Sequence, residues 1–296
     1  MNAVNYYSPS ELRSFLEARG LGMRKKYGQN FLVNSVIRNK LLDALEINAG
    51  QSVWEIGPGL GVMTGGLLER GAKVCAFEID RGFSLILREF FGDNRNFNLV
   101  EGDVLKTWLK EIQNNNDIQK PCLLGNLPYN IAAVLLADFI TKKQFFEKMV
   151  ITVQLETANR LIAKPDSREY SSITVLCSSF YKITPLMVIK GSSFFPVPKV
   201  DSRGLRLDLR DDITEPPRLF FSLLRSLFSS RRKTVQNNLI NFTSSVIMNK
   251  NMDSKRIAAQ ALEQAGIAGG RRAETFENIE FYRLAKALED LTGYGN

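Results

Sequence analysis

The run PCLLGNLPY at 121–129 ends an apolar stretch in Asn126, Leu127, Pro128 and Tyr129. An Asn and a Tyr around a proline make an odd turn. The Asn126 side-chain oxygen and a backbone carbonyl at Leu127 or Pro128 are two acceptors that can be aimed at the two hydrogens of an exocyclic amine. Held so, the amine's lone pair is drawn out of ring conjugation and becomes nucleophilic. Pro128 stiffens the loop and leaves Leu127 extended. Tyr129 offers a ring face on which a splayed-out base can stack, a contact worth about 1–3 kcal/mol. An amine turned cationic by its own attack sheds a proton readily, so this chemistry needs no strong base. The chain contains no histidine. That excludes His triads, His-ligated zinc and imidazole acid–base catalysis, and leaves this chemistry open.

Three other strand ends carry features of the same kind. VWEIGPGLG places Gly57, Gly59 and Gly61 where an apolar run passes into a helical pattern. Glycines there let backbone approach a ligand at the carboxyl edge of an open sheet. The spacing is GxGxG, whereas the dinucleotide fingerprint is GxGxxG. Glu78 ends the next apolar run and can accept from ribose hydroxyls. Asp103 ends the run after that, in EGD, and can accept from an exocyclic amine. With Asn126, four consecutive strands each deliver a polar or glycine feature to one rim. Glu55, Glu78 and Asp103 surround the turn with negative charge, which suits a cationic ligand better than a pyrophosphate. S-adenosylmethionine, with its sulfonium, ammonium and ribose, fits that requirement. No metal-ligand spacing is present.

The elements that must place these residues are legible from periodicity. Ser8, Pro9 and Gly20 punctuate a first helix, followed by a basic, glycine-bearing loop. From 51 to about 155, short apolar runs alternate with helical patterns, which implies parallel βαβ units with helices on both faces. After a helix from about 171, YKITPLMVIKG and KVDSRGLRLDLR form a hairpin-like pair that closes one edge. RDDITEPPR is a charged, proline-bearing linker. Beyond it lie only helical patterns, at 217–242, 253–266 and 277–292. The expected layout is an N-terminal helical arm at 1–22, a sheet domain at 23–210 and a helical domain at 211–296.

Composition narrows the partners. The 296 residues carry a formal net charge of +8, which favours a polyanion such as RNA. No apolar run reaches membrane-spanning length, and the N-terminus has no secretory core. The three cysteines, Cys75, Cys122 and Cys177, form no CxxC pair and suit a reducing cytoplasm.

The motifs KKYGQNFL, EIGPGLGVMT, FEID, EGDVL, GNLPYNI, FFPVPKVDS and SSRRKTVQNNL occur in this order. Together they resemble the KsgA-type small-subunit ribosomal RNA adenine dimethyltransferases, a class I S-adenosylmethionine-dependent family, from about Lys25 to the C-terminus. The resemblance implies an α/β fold: a Rossmann-like methyltransferase sheet, mostly parallel with a late antiparallel strand, plus a small all-α C-terminal RNA-binding domain. It implies that two adjacent adenosines near the 3′ end of small-subunit (16S) ribosomal RNA each receive two N6 methyl groups, on a pre-30S particle, from a cytoplasmic monomer. It also implies that Asn30, Leu32, Gly57, Gly59, Glu78, Asp103 and Asn126 line the S-adenosylmethionine site. Phe194 and Phe195 are expected to close the base pocket opposite Tyr129. Arg24, Lys25 and Lys26, with Arg231, Arg232 and Lys233 on the first helix of the last domain, are expected to meet RNA phosphates. Two relatives compete with this reading. Large-subunit ribosomal RNA adenine methyltransferases usually have Lys after GPG and Ile in the NxPY motif, where this chain has Leu60 and Leu127. Non-catalytic nucleic-acid-binding relatives of the mitochondrial transcription-factor type are disfavoured by the intact NLPY and acidic rim.

Overall fold

The alternation of apolar runs and helical periods is realised as parallel strands joined by helical crossovers. The computed structural model describes residues 5–22, 29–114, 120–128, 131–246 and 253–294. Contacts divide the chain into two units. One comprises the residues up to 158 together with 182–209, and the other 159–181 together with those from 210 onward.

In the first unit, α1 (Pro9–Ala18), β1 (Phe31–Leu32) and α2 (Ser35–Ala44) precede the alternating series. That series is β2 (Ser52–Ile56), α3 (Val62–Glu69), β3 (Lys73–Glu78), α4 (Arg81–Phe91), β4 (Phe97–Glu101), α5 (Val104–Asn114), β5 (Cys122–Asn126), α6 (Ala132–Thr141) and β6 (Lys148–Gln154). After α7 (Leu155–Leu161) and α8 (Ser172–Phe180) come β7 (Tyr181–Ile189), β8 (Phe194–Phe195) and β9 (Ser202–Leu209). Seven strands form one sheet in the order β4-β3-β2-β5-β6-β9-β7. β2 through β6 pair in parallel, and β9 runs antiparallel to β6. β1 and β8 make a separate two-stranded antiparallel pair, Phe31 opposite Phe195 and Leu32 opposite Phe194.

Successive strand residues feed opposite faces of the sheet. Val53, Val74, Ala76, Leu124 and Val150 pack with Leu41 and Leu42 from α2, Leu45 at its C-terminal cap, and Leu67 from α3. On β2 the neighbour of Val53, Trp54, joins an aromatic group with Phe77, Phe139 and Phe146. Each such buried side chain contributes about 1.5–3 kcal/mol, so the sheet interior is a rigid base for its carboxyl rim. Among the described residues, every buried side-chain nitrogen and oxygen has a hydrogen-bond partner.

The second unit holds α7's end, α8, α9 (Phe220–Ser229), α10 (Val235–Val246), α11 (Ser254–Ala265) and α12 (Asn278–Thr292). Residues 159–181, expected with the sheet domain, group with these helices. The cause is specific packing: Tyr170 donates its hydroxyl to the Phe276 carbonyl at 2.8 Å, and Phe180 stacks with Phe221. The helical pattern at 217–242 is two helices, not one. The Asn238 amide donates to the Leu227 and Ser230 carbonyls, satisfying the end of α9 and making the break. No helix among the described residues is long and apolar enough to cross a membrane.

Candidate active site

A cavity of about 310 Å³ lies at the carboxyl ends of β2, β3 and β5 and of the strand leading to Asp103. Crossovers from β2 lead to β3 on one side, and β5 pairs with β2 on the other. This reversal of direction is where open α/β sheets leave a crevice.

The floor is the glycine turn. Gly57, Gly59 and Gly61 have φ of +69°, +59° and +83°, a region that L side chains rarely adopt. A Cβ on Gly59 would stand 2.9 Å from the Phe31 ring, so this position needs glycine for space as well as for φ. Glu78 is 4% exposed and ties the turn to the next strand. Its Oε2 accepts the Gly59 N–H at 3.0 Å and its Oε1 the Asp80 N–H at 2.8 Å. Burial pushes the Glu78 carboxyl up to about 7, against these two bonds that favour its charged form. Glu55, at the end of β2, is also buried and faces the cavity. Its Oε2 accepts the Thr64 hydroxyl at 2.6 Å, and burial pushes its carboxyl up to about 8. Asp103 caps α5, its Oδ1 accepting the Leu105 N–H at 3.1 Å.

Among the described residues lining the cavity there are three carboxylates, Glu55, Glu78 and Asp103, and no lysine or arginine. A phosphate-bearing cofactor would find no side-chain cation among them to pair with. A ligand with a ribose, hydrogen-bond donors and positive charge fits the donor set. Ile79, Phe83 and Val104 add apolar wall beside Glu78 and Asp103.

Asn126 and Pro128 line the cavity beyond the end of β5. The Asn126 Nδ2 donates to the Asn30 carbonyl at 2.9 Å. That bond fixes the amide with its nitrogen end occupied. Leu127 is buried and its N–H donates to the Thr152 carbonyl at 3.0 Å. The Pro128 carbonyl accepts from the N–H groups of both Ile131 and Ala132, at 3.1 and 3.3 Å, and so starts α6.

Asn30, Leu32, Gly57, Gly59, Glu78, Asp103 and Asn126, expected together from the sequence, all line this one cavity. Tyr129 and the basic trio Arg24, Lys25 and Lys26 lie outside the described residues. Phe194 and Phe195 were expected to close a base pocket opposite Tyr129, which lies outside the described residues. Both are buried, at 2% and 8% exposure, and neither lines the cavity. As strand neighbours they send their rings to different core clusters, Phe194 beside Leu32 and Leu41, Phe195 beside Leu12, Leu16 and Leu60. Arg231, Arg232 and Lys233 are corrected: they occupy the turn between α9 and α10, not a helix. Arg231 pairs with Glu274 at 2.9 Å and donates to the Arg168 carbonyl, while Arg232 and Lys233 are exposed. Sequence reasoning placed Glu55 only as a flanking charge and missed Ile79 as a wall. Their signal was adjacency, one residue or two from Gly57 and Glu78.

Residues 20–282 match the family described as ribosomal RNA adenine dimethylase. A protein named ribosomal RNA small subunit methyltransferase A, from Treponema denticola, is 40% identical over 296 residues, covering 98% of this chain and 98% of that protein. One of the same name from Borreliella burgdorferi is 41% identical over 285 residues, covering 96% and 95%. Among solved structures, a dimethyladenosine transferase from Plasmodium falciparum aligns with a TM-score of 0.73 at 26% identity, over 88% of this chain and 97% of that one.

Proposed function

The chain belongs to the ribosomal RNA adenine dimethylase family, and from that premise we propose that its targets are two adjacent adenosines near the 3′ end of small-subunit (16S) ribosomal RNA. It is an S-adenosylmethionine-dependent ribosomal RNA adenine dimethyltransferase, and the product is N6,N6-dimethyladenosine. The substrate form is a pre-30S particle in the cytoplasm, and the enzyme acts as a monomer.

The observation that carries this reading is the Asn126 amide, latched to the Asn30 carbonyl at the wall of an acidic cavity. Glu78 would hold the ribose hydroxyls of the cofactor and Asp103 the amine of its adenine ring, with Gly57 and Gly59 giving close backbone approach. Asn30 and Leu32 close the same wall. S-adenosylmethionine, when bound, supplies a methyl group made electrophilic by the sulfonium. The chain's own part is orientation. Asn126 Oδ1 and a backbone carbonyl at Leu127 or Pro128 accept the two N6 hydrogens of the target and aim its lone pair into the cavity. Preorganised acceptors of this kind act most strongly as the nitrogen turns pyramidal. Tyr129 is assigned to stacking on the base. Arg232 and Lys233, and the basic trio at 24–26, are assigned to phosphates.

Tritiated S-adenosylmethionine offered in parallel to undermethylated small subunits, large subunits and naked DNA tests the assignment. Label in small-subunit RNA alone supports it. Label in large-subunit RNA or DNA at an equal rate overturns the choice of substrate.

A further inference from the structure

The segment before the GQNFL motif takes no part in the chemistry above, yet it is joined to the glycine turn. Ser8 caps α1 by accepting the Glu11 N–H, and Leu12 and Leu16 are buried beside Leu60, Phe83, Ile86 and Phe195. Ahead of the helix, the Tyr6 hydroxyl donates to the Leu60 carbonyl at 3.0 Å. Burial pushes that hydroxyl up to about 12, so it stays a donor at neutral pH. Leu60 sits between Gly59 and Gly61, and it is 1% exposed. Its side chain is therefore held by α1 and its carbonyl by Tyr6. One residue earlier, the Gly59 N–H is held by Glu78. A turn with three positive-φ glycines restrains itself poorly, because glycine loses more backbone freedom on ordering than any other residue. A restraint applied from outside lowers the ordering cost left to the ligand.

We propose that Tyr6 is a positioning residue of the cofactor site, fixing the Gly59–Leu60–Gly61 backbone for the S-adenosyl ligand. The inference rests on the S-adenosyl reading of the cavity. Tyr6 does not line the cavity and acts only through the turn. It should therefore govern cofactor affinity and leave turnover of the loaded enzyme alone.

The test compares wild type, Tyr6→Phe and Arg19→Ala by calorimetry with S-adenosylhomocysteine and by steady-state kinetics. Arg19→Ala removes the 3.0 Å ion pair from the arm to Glu89 on α4 without touching the turn, so it reports on loosening of the arm in general. Tyr6→Phe should weaken binding about three- to tenfold, the range for one hydrogen bond between neutral groups. KM for the cofactor should rise in step, while kcat at saturating cofactor stays within about twofold. Arg19→Ala should bind as wild type does. Wild-type affinity in Tyr6→Phe, or an equal loss in Arg19→Ala, overturns the inference and leaves the function standing. A wild-type chain that binds neither S-adenosylmethionine nor S-adenosylhomocysteine overturns the reading of the cavity, and the inference with it.

Discussion

Glu78→Gln keeps the shape of a buried side chain and removes its charge and one acceptor oxygen. In the structure each carboxylate oxygen takes one backbone N–H, from Gly59 and from Asp80. A backbone bond from Ile79 also reaches the carboxylate, which leaves lone-pair capacity for a ribose hydroxyl. A glutamine must turn its NH₂ toward one of those backbone donors and loses an acceptor for the ligand. Hydrogen bonds to charged groups contribute about 1.5–3 kcal/mol, so Glu78→Gln should weaken S-adenosylhomocysteine binding roughly ten- to a hundredfold. The pH profile separates this role from simple packing. Burial raises the carboxyl from 4.5 to about 7 in the unliganded protein, and donors on the ligand favour its ionised form. With a pKa near 7, roughly a tenth of Glu78 is ionised at about pH 6 and nine tenths at about pH 8. Glu55, at about 8, titrates in part of the same window. Because the Glu78 charge itself raises Glu55, the ratio of affinities with and without Glu78→Gln is taken in a Glu55→Gln background. Measured by calorimetry, the ratio should grow about tenfold from about pH 6 to about pH 8. A ratio that does not change with pH, or equal affinities throughout, would refute the assignment of Glu78 to the ligand.

Asn126→Ala should cut kcat by about two orders of magnitude or more while S-adenosylhomocysteine binding, measured separately, changes less. Asn126→Asp should fare no better in single-turnover assays, because a carboxylate cannot donate to the Asn30 carbonyl and would be repelled by it. Without ligand, thermal stability should fall as pH rises from about 4.5 to about 8. Glu55 and Glu78 keep protons in the folded state that the unfolded chain has already lost, so their contribution is greatest below the unfolded pKa and declines through the folded one. Calorimetric scans should show a shallower decline in Glu55→Gln, which retains an acceptor for Thr64. Neutralising Arg232 and Lys233 should lower RNA affinity and flatten its salt dependence by about 0.7–0.9 in log–log slope per lost contact. Arg231→Ala should instead reduce stability, since that guanidinium is already committed to Glu274.

The parallel sheet and its rim were legible because each rests on local pattern. Apolar runs with β-branched residues, bounded by Gly57, Glu78, Asp103 and Asn126, gave strands whose carboxyl ends must share an edge. Glycine at Gly59 and Gly61 was legible as a need for unusual backbone, although the Phe31 ring that occupies the space over Gly59 was not. What the sequence hid was long-range pairing. β1 and β8 are two residues each, too short for any period, and their partner is found only in three dimensions. That pairing buries Phe194 and Phe195, which from sequence alone read as well for a pocket as for a core. Periodicity ran unbroken through Arg231–Lys233 because the break depends on where the Asn238 side chain finds its acceptors. Residues 159–181 joined the helices through contacts such as the Tyr170 hydroxyl on the Phe276 carbonyl and Arg231 on the Arg168 carbonyl, which no hydrophobic pattern announces.

The central claim is that Asn126, held by the Asn30 carbonyl, presents the acceptor that makes an adenine amine nucleophilic. Single-turnover methylation of small subunits lacking dimethyladenosine, followed by mass spectrometry of the product nucleosides over time, addresses it directly. Wild type should convert adenosine through N6-methyladenosine to N6,N6-dimethyladenosine. Asn126→Ala should lose the first step more severely than the second, because the monomethylated amine has one hydrogen left to donate and needs one acceptor fewer. Dimethyladenosine formed by Asn126→Ala at the wild-type rate would contradict the claim.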